Sequence, residues 1–177
     1  MGEPRFLDWY ELLRRMKQEG VDFVVIGGVA AALRGSPIAT YDLDICAPLT
    51  GANLPRILAA IADLDPCFRF RPDKMPLPPD PNYFHGFKAL NLETTLGACD
   101  ILGDLPGICS FEELADRTTQ MNVGGFHCRV LDIETLIAAK TFAGREKDKP
   151  YLLFLEAVRT REKKQPSALS HFYFRID

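Results

Sequence analysis

Apolar residues recur along this chain with two periods, and the switches between them outline its elements. Phe6, Trp9, Tyr10, Leu13 and Met16 fall at helical spacing ahead of Gly20, which predicts an amphipathic helix from about Pro4 to Glu19. "FVVI", Phe23 to Ile26, is short, β-branched and apolar on both faces, the pattern of a buried strand. After Gly27-Gly28, "VAAALR" predicts a short helix with Gly35 as its stop. "YDLDICA" reads as the next strand, and Leu54, Ile57, Leu58, Ile61 and Leu64 as a one-sided helix. Five prolines between Arg71 and Tyr83 make that segment an extended loop and a candidate lid. Strands are expected over Phe84–Leu92 and Thr94–Leu102, and "QMNVGGFHCRVL" predicts a hairpin turning at Gly124-Gly125. Asp132 can cap a helix running through Ala143 and closed by Gly144, and Asp148 can cap another. The outline is an α/β fold of the α+β type, a mixed sheet flanked by helices. A core over 1–130 and a helical segment over 131–177 packed on it are expected to form one compact unit.

Two carboxylates interrupt this apolar pattern. Alternation on a strand puts Asp42 and Asp44 on one face and Leu43 and Ile45 on the other. Side by side the two charges repel, and burial adds a desolvation cost. Three arrangements relieve this: a wet edge strand, basic partners, or divalent cations, which take hard oxygen ligands and share their shell with substrate phosphates. Gly27-Gly28 follows a strand and opens a helix. Alone that is ordinary turn chemistry, but free N–H groups at such a place also favour a phosphate. "GGVAAA" lacks the G-x-G-x-x-G spacing of a dinucleotide site. A phosphate cradle followed by a two-carboxylate strand describes a site for a metal-bound nucleoside triphosphate.

The apolar strand, Gly-Gly, a thirteen-residue spacer from Val29 to Tyr41, and Asp-Leu-Asp resemble the nucleotidyltransferase signature of the DNA polymerase beta superfamily. More closely, "GGVAAALRGSPIATYDLDI" is similar to small bacterial nucleotidyltransferase-like proteins, among them toxins of abortive-infection and toxin–antitoxin systems. "LDIETLIAAKTFAGREKDKPYLLFLE", Leu131 to Glu156, looks like the helical segment of the same proteins. The resemblance implies a nucleotidyltransferase fold and transfer of a nucleoside monophosphate from a triphosphate to a hydroxyl, with pyrophosphate released. It implies Mg²⁺ or Mn²⁺ held by Asp42, Asp44 and a third carboxylate on a later strand. Asp100 in "TTLGACDILGD" is favoured for that place over Asp104, which follows Gly103. Gly27 and Gly28 would meet phosphate, beside Thr40. Relatives commonly carry Arg-x-Thr ahead of the Asp-x-Asp, whereas this chain keeps Thr40 and has Ile38 in the arginine's place. Arg34, Lys140, Arg145 and Lys147 are the candidate substitutes. Lys140 lies on the apolar face of its helix, either snorkelling over the core edge or reaching a phosphate or carboxylate. Asp148 matches the family's aspartate and suits an N-cap equally well.

Composition narrows the alternatives. With 47% hydrophobic and 25% charged residues, 177 residues can bury a sizeable core in one domain. A net charge of −3 gives no footprint for a dedicated duplex-DNA binder, and the run "RTREKK", Arg159 to Lys164, reads as a solvated helix end. Five cysteines without a C-x-x-C pair argue against a zinc site or disulfide framework, and no apolar stretch is long enough for a bilayer. The N-terminus has no signal-peptide pattern, and the cysteine usage fits a reducing cytoplasm, the expected location. His85, His127 and His171 are scattered, and Cys46 and Cys99 read as small core residues. The expected partners are a nucleoside triphosphate, a hydroxyl acceptor on an RNA, a protein or a small molecule, and a cognate protein if the chain is one half of a toxin–antitoxin pair. A catalytically weak binding protein and a nucleotide sensor remain alternatives, the first supported by Ile38.

Overall fold

The computed structural model describes residues 7–164. Helix α1, Trp9–Gln18, starts later than its periodicity predicts, because the Asp8 side chain accepts a hydrogen bond from the Glu11 N–H at 2.9 Å and fixes the first turn there. The expected turn before Leu7 lies outside the described residues, as does His171. Strand β1 is Val24–Val25, helix α2 is Gly27–Leu33, and strand β2 is Asp42–Cys46. Gly35 adopts φ +90° just after α2, which accounts for a glycine at that stop. Helix α3, Asn53–Ile61, buries Leu54, Ile57, Leu58 and Ile61, as its spacing requires.

Strand β3, Cys67–Phe68, is short, and the proline-rich loop follows it. That loop lines a cleft of about 730 Å³ with Pro55, Leu58 and Ala59 of α3, and neither Asp42, Asp44 nor Asp100 is among the lining residues. Strand β4 runs only over Ala89–Thr94. Its expected first residue, Phe84, belongs instead to a 3₁₀ turn, Pro81–Phe84, in which Pro81 occupies the first position and the Asp80 carboxylate accepts from the Asn82 N–H. Strand β5 is Gly97–Leu102. Strands β6, Thr118–Val123, and β7, Phe126–Leu131, form the expected hairpin with both turn glycines at positive φ. Helix α4, Ile133–Ala143, is capped by Asp132 and closed by left-handed Gly144, and α5 spans Lys149–Lys164.

The seven strands make one mixed sheet in the order β3-β4-β5-β2-β1-β7-β6. The β2–β5 and β1–β7 pairs are parallel and the other four antiparallel. Helix α1 packs on α3, while α2, α4 and α5 form a second contacting set. Leu43 and Ile45 are fully buried, and Leu136, Leu155 and Val158 join the same apolar core as the strands. The central position of β2 rules out the wet-edge reading of its carboxylates. The basic run ends α5 with Arg159 and Lys163 paired to Glu134. Among the described residues no helix is long and apolar enough to cross a membrane.

Candidate active site

Parallel pairing of β2 with β5 sets Asp44 directly beside Asp100 and Asp42 beside Ala98. The same register extends outward. Asp100 faces Asn91 of β4, and the Arg69 N–H, one residue past β3, donates to the Asn91 carbonyl at 2.9 Å. Asp44, Asp100, Asn91 and Arg69 therefore stand in one row across neighbouring strands, where side chains share a face. On that face Asp42, Asp44 and Asp100 each offer a carboxylate oxygen within 4.8 Å of the others. Asp104 is not among them; its carboxylate accepts from the Phe111 N–H.

The glycine pair makes room for this cluster. Gly27 adopts φ +61°, and a Cβ there would overlap the Asp44 carboxylate; a Cβ at Gly28 would overlap the Thr40 hydroxyl. The Gly28 N–H favours the charged form of the Asp44 carboxylate, so one donor of the expected phosphate cradle already bears on the protein's own anion. Thr40 Oγ1 donates to the Asp42 carbonyl at 3.0 Å and lies 3.4 Å from Asp42 Oδ1, fixing the entry to β2. Tyr151 of α5 donates to the Ala39 carbonyl at 2.9 Å and holds the same segment from the other side.

Charge in the cluster is strained. Burial pushes Asp44 up to about 6, the negative charges of Asp42 and Asp100 add to the rise, and the Gly28 N–H and Lys140 oppose it. Burial also raises Asp100, against the neighbouring Asn91 amide and Arg69. Asp100 is only 8% exposed, and its Oδ1 has no hydrogen-bond partner. An orphaned buried carboxylate oxygen beside two more carboxylates fits a hard divalent cation by donor chemistry.

The expected cations are placed unevenly. Lys140, 6% exposed, neither snorkels nor stands free: its ammonium donates to Asp148 Oδ1 at 2.9 Å and lies 4.1 Å from the centre of the Tyr151 ring. Arg145 Nε donates to Asp148 Oδ2 at 2.6 Å, and the fields of Asp44 and Asp42 also reach Arg145. The Asp148 carboxylate is thus consumed by two cations. Lys147 is exposed. Arg34 is turned to other duties, donating to the Leu131 carbonyl at 2.8 Å and to Thr119 Oγ1 at 3.3 Å. The cation that does touch the cluster is Arg69, absent from the sequence-based candidates. Its Nη2 lies 2.5 Å from Asp100 Oδ2 and its Nη1 3.6 Å from Asp42 Oδ2. Only the sheet register brings it there, and no motif signals it.

Cys46, Cys99 and Cys128 are buried free thiols whose burial pushes them up, away from nucleophile chemistry. His85 and His127 are exposed and outside the cluster.

No family model matches the chain, and no curated protein matches it in sequence. Solved structures do. The lincosamide antibiotic adenylyltransferase LnuA, solved with lincomycin bound, aligns over 87% of this chain and 99% of its own, with a TM-score of 0.59 at 14% identity. ANT(2")-Ia, solved with adenylyl-2"-tobramycin, aligns over 90% and 97%, with a TM-score of 0.54 at 12% identity. A protein of Thermotoga maritima provisionally named a nucleotidyltransferase aligns over 89% and 91%, with a TM-score of 0.52 at 20% identity. The mixed seven-stranded sheet with its flanking helices is the nucleotidyltransferase fold.

Proposed function

We propose that the chain is a metal-dependent nucleotidyltransferase, moving a nucleoside monophosphate from a triphosphate to a hydroxyl acceptor and releasing pyrophosphate. The observation that carries this reading is the convergence of Asp42, Asp44 and Asp100 on one sheet face, with the buried Asp100 Oδ1 lacking a partner. Fold alone does not fix activity, so the weight rests on those donors.

Asp42, Asp44 and Asp100 would hold Mg²⁺ or Mn²⁺, which when bound supplies Lewis-acid charge to the entering and leaving phosphoryl oxygens. Asp44 is held toward the site by Gly28, and Asp42 by Thr40. The remaining donors at the Gly27-Gly28 turn would meet the triphosphate, whose charge Arg145 and Lys147 would help balance from the loop between α4 and α5. Lys140 would act indirectly, by fixing Asp148 and so Arg145. Arg34 would tie α2 to β7 and α5 instead of binding nucleotide. Asp100 would complete the metal shell or accept the proton of the attacking hydroxyl.

For the acceptor, the structural neighbours bound to lincomycin and adenylyl-2"-tobramycin favour a hydroxylated small molecule as the first class to try. The test is transfer of label from each α-³²P triphosphate to pooled small-molecule, RNA and protein acceptors. Label transfer that Asp42→Asn abolishes is expected; transfer undiminished in both Asp42→Asn and Asp44→Asn would overturn the assignment.

Ile38, in the place where the resembled family commonly carries arginine, favours a second reading. In it the fold acts by binding a partner protein, as in a toxin–antitoxin pair, or senses nucleotide without transferring it. Nucleotide binding without product in any acceptor pool would support the sensor form.

A further inference from the structure

Arg69 is held in an unfinished arrangement. Its guanidinium reaches Asp100 through Nη2 and approaches Asp42 through Nη1, while its Nε–H is buried with no acceptor. Asp100 mirrors this, bonded through Oδ2 and orphaned at Oδ1. An arginine–carboxylate pair that satisfied both groups would be bidentate through two parallel N–H···O bonds. Here one bond is short and the second donor and second acceptor are both unused. Asp44 and Asp42 add negative charge that one guanidinium does not cancel. The Phe70 ring, 4.7 Å from the guanidinium carbon, supports it from another side, and Phe70 is itself largely exposed. The backbone bond from Arg69 to Asn91 anchors the root of the side chain at the end of β3, and the side chain is 18% exposed with its Nε buried.

A divalent cation and Arg69 compete for the same carboxylate oxygens. A cation arriving alone would displace the guanidinium without offering it a new acceptor. A triphosphate arriving with the cation offers several oxygens, and the Nε/Nη fork suits phosphate as well as it suits carboxylate. Resting on the nucleotidyl-transfer reading, we propose that Arg69 is a phosphate-binding residue that exchanges Asp100 for the triphosphate when the metal enters. The site then takes metal and triphosphate as a unit and disfavours bare metal.

Two affinities of the full-length chain test this by calorimetry: Mn²⁺ alone, and Mn²⁺ with inorganic tripolyphosphate, which carries no base. Arg69→Gln is expected to bind bare Mn²⁺ about tenfold more tightly and Mn²⁺-tripolyphosphate about tenfold more weakly than wild type, the size of one charge-assisted hydrogen bond. Loss of one positive charge moves the two affinities apart by itself, so the role of the fork is read from the variant that keeps the charge. Arg69→Lys keeps the charge and lacks the fork. It should leave bare Mn²⁺ near wild type and weaken tripolyphosphate, and it carries the test should Arg69→Gln fail to fold. Affinities that stay put or move together in both variants would overturn the role of Arg69. If Asp42→Asn still abolished Mn²⁺ binding in that case, the acidic metal site would survive. No Mn²⁺ binding to wild type or to either variant, with or without tripolyphosphate, would remove the metal site and the Arg69 exchange with it.

Discussion

Gly27 lies against the Asp44 carboxylate so closely that a Cβ on it would occupy the space of Oδ2. The glycine also holds φ +61°, which side-chain-bearing residues rarely adopt. Gly27→Ala is therefore expected to lower stability by about 1–3 kcal/mol, from overlap and backbone strain together. Adding Asp44→Ala removes the overlap and leaves the strain, so the double variant should recover part of the loss. Thermal unfolding of the four proteins of this cycle measures it, and full additivity would show that the two residues do not compete for space.

Asp44 has a stability signature of its own. Burial first, then Asp42 and Asp100, lift it from 3.8 to about 6. Between those values the folded chain keeps a proton that the unfolded chain has released. Stability of the metal-free protein therefore falls as pH rises from about 4 to about 6, and the deficit persists above. Asp44→Asn carries no such charge. At pH 7 without metal it should be about 1–2 kcal/mol more stable than wild type, the two-unit shift being discounted for solvent screening, with the gap closing near pH 4. Urea unfolding of both proteins at the two pH values, in chelator, reads that gap directly.

Asp148 shows the opposite sign. Burial raises it, but hydrogen bonds from Arg145 and Lys140 outweigh burial and leave it below the ordinary carboxylate range. Its contribution is present at neutral pH and disappears as acid protonates it, below about pH 4. Asp148→Ala leaves the buried Lys140 without its partner and should cost about 3–5 kcal/mol. Replacing both, as Lys140→Met with Asp148→Leu, should cost less than Asp148→Ala alone. A larger loss in the double variant, measured by urea unfolding, would mean that the unpaired Lys140 charge is not the source of the loss in Asp148→Ala.

These effects also mark how far the sequence can be read. The α4 caps were legible because Asp132 and Gly144 act on their own neighbours, and the hairpin because Gly124-Gly125 is a local signal. The strand position of Asp100 was legible because β5 is a single uninterrupted run that ends near it. Arg69 was not, since its approach to Asp100 depends on two antiparallel registers, β3 on β4 and β4 on β5, that no local pattern encodes. The engagement of Gly28 by Asp44 was hidden for the same reason: the turn and the strand are adjacent only in the folded sheet. Asp148 read as a cap because its sequence position allows one, whereas tertiary packing gives its carboxylate to Lys140 and Arg145. Local chemistry set the ends of elements, and long-range register set the electrostatics of the site.

The central claim is tested most directly by thermal unfolding of wild type and Asp42→Asn with each of the four nucleoside triphosphates, with and without Mg²⁺ or Mn²⁺. A ligand at about 100 times its dissociation constant stabilises by about 2.7 kcal/mol, a rise of about 5–11 °C for a chain of this size. A rise that requires both metal and nucleotide and vanishes in Asp42→Asn is the predicted result. No rise with any nucleotide, or an equal rise in the variant, would contradict a metal–nucleotide site at these three carboxylates.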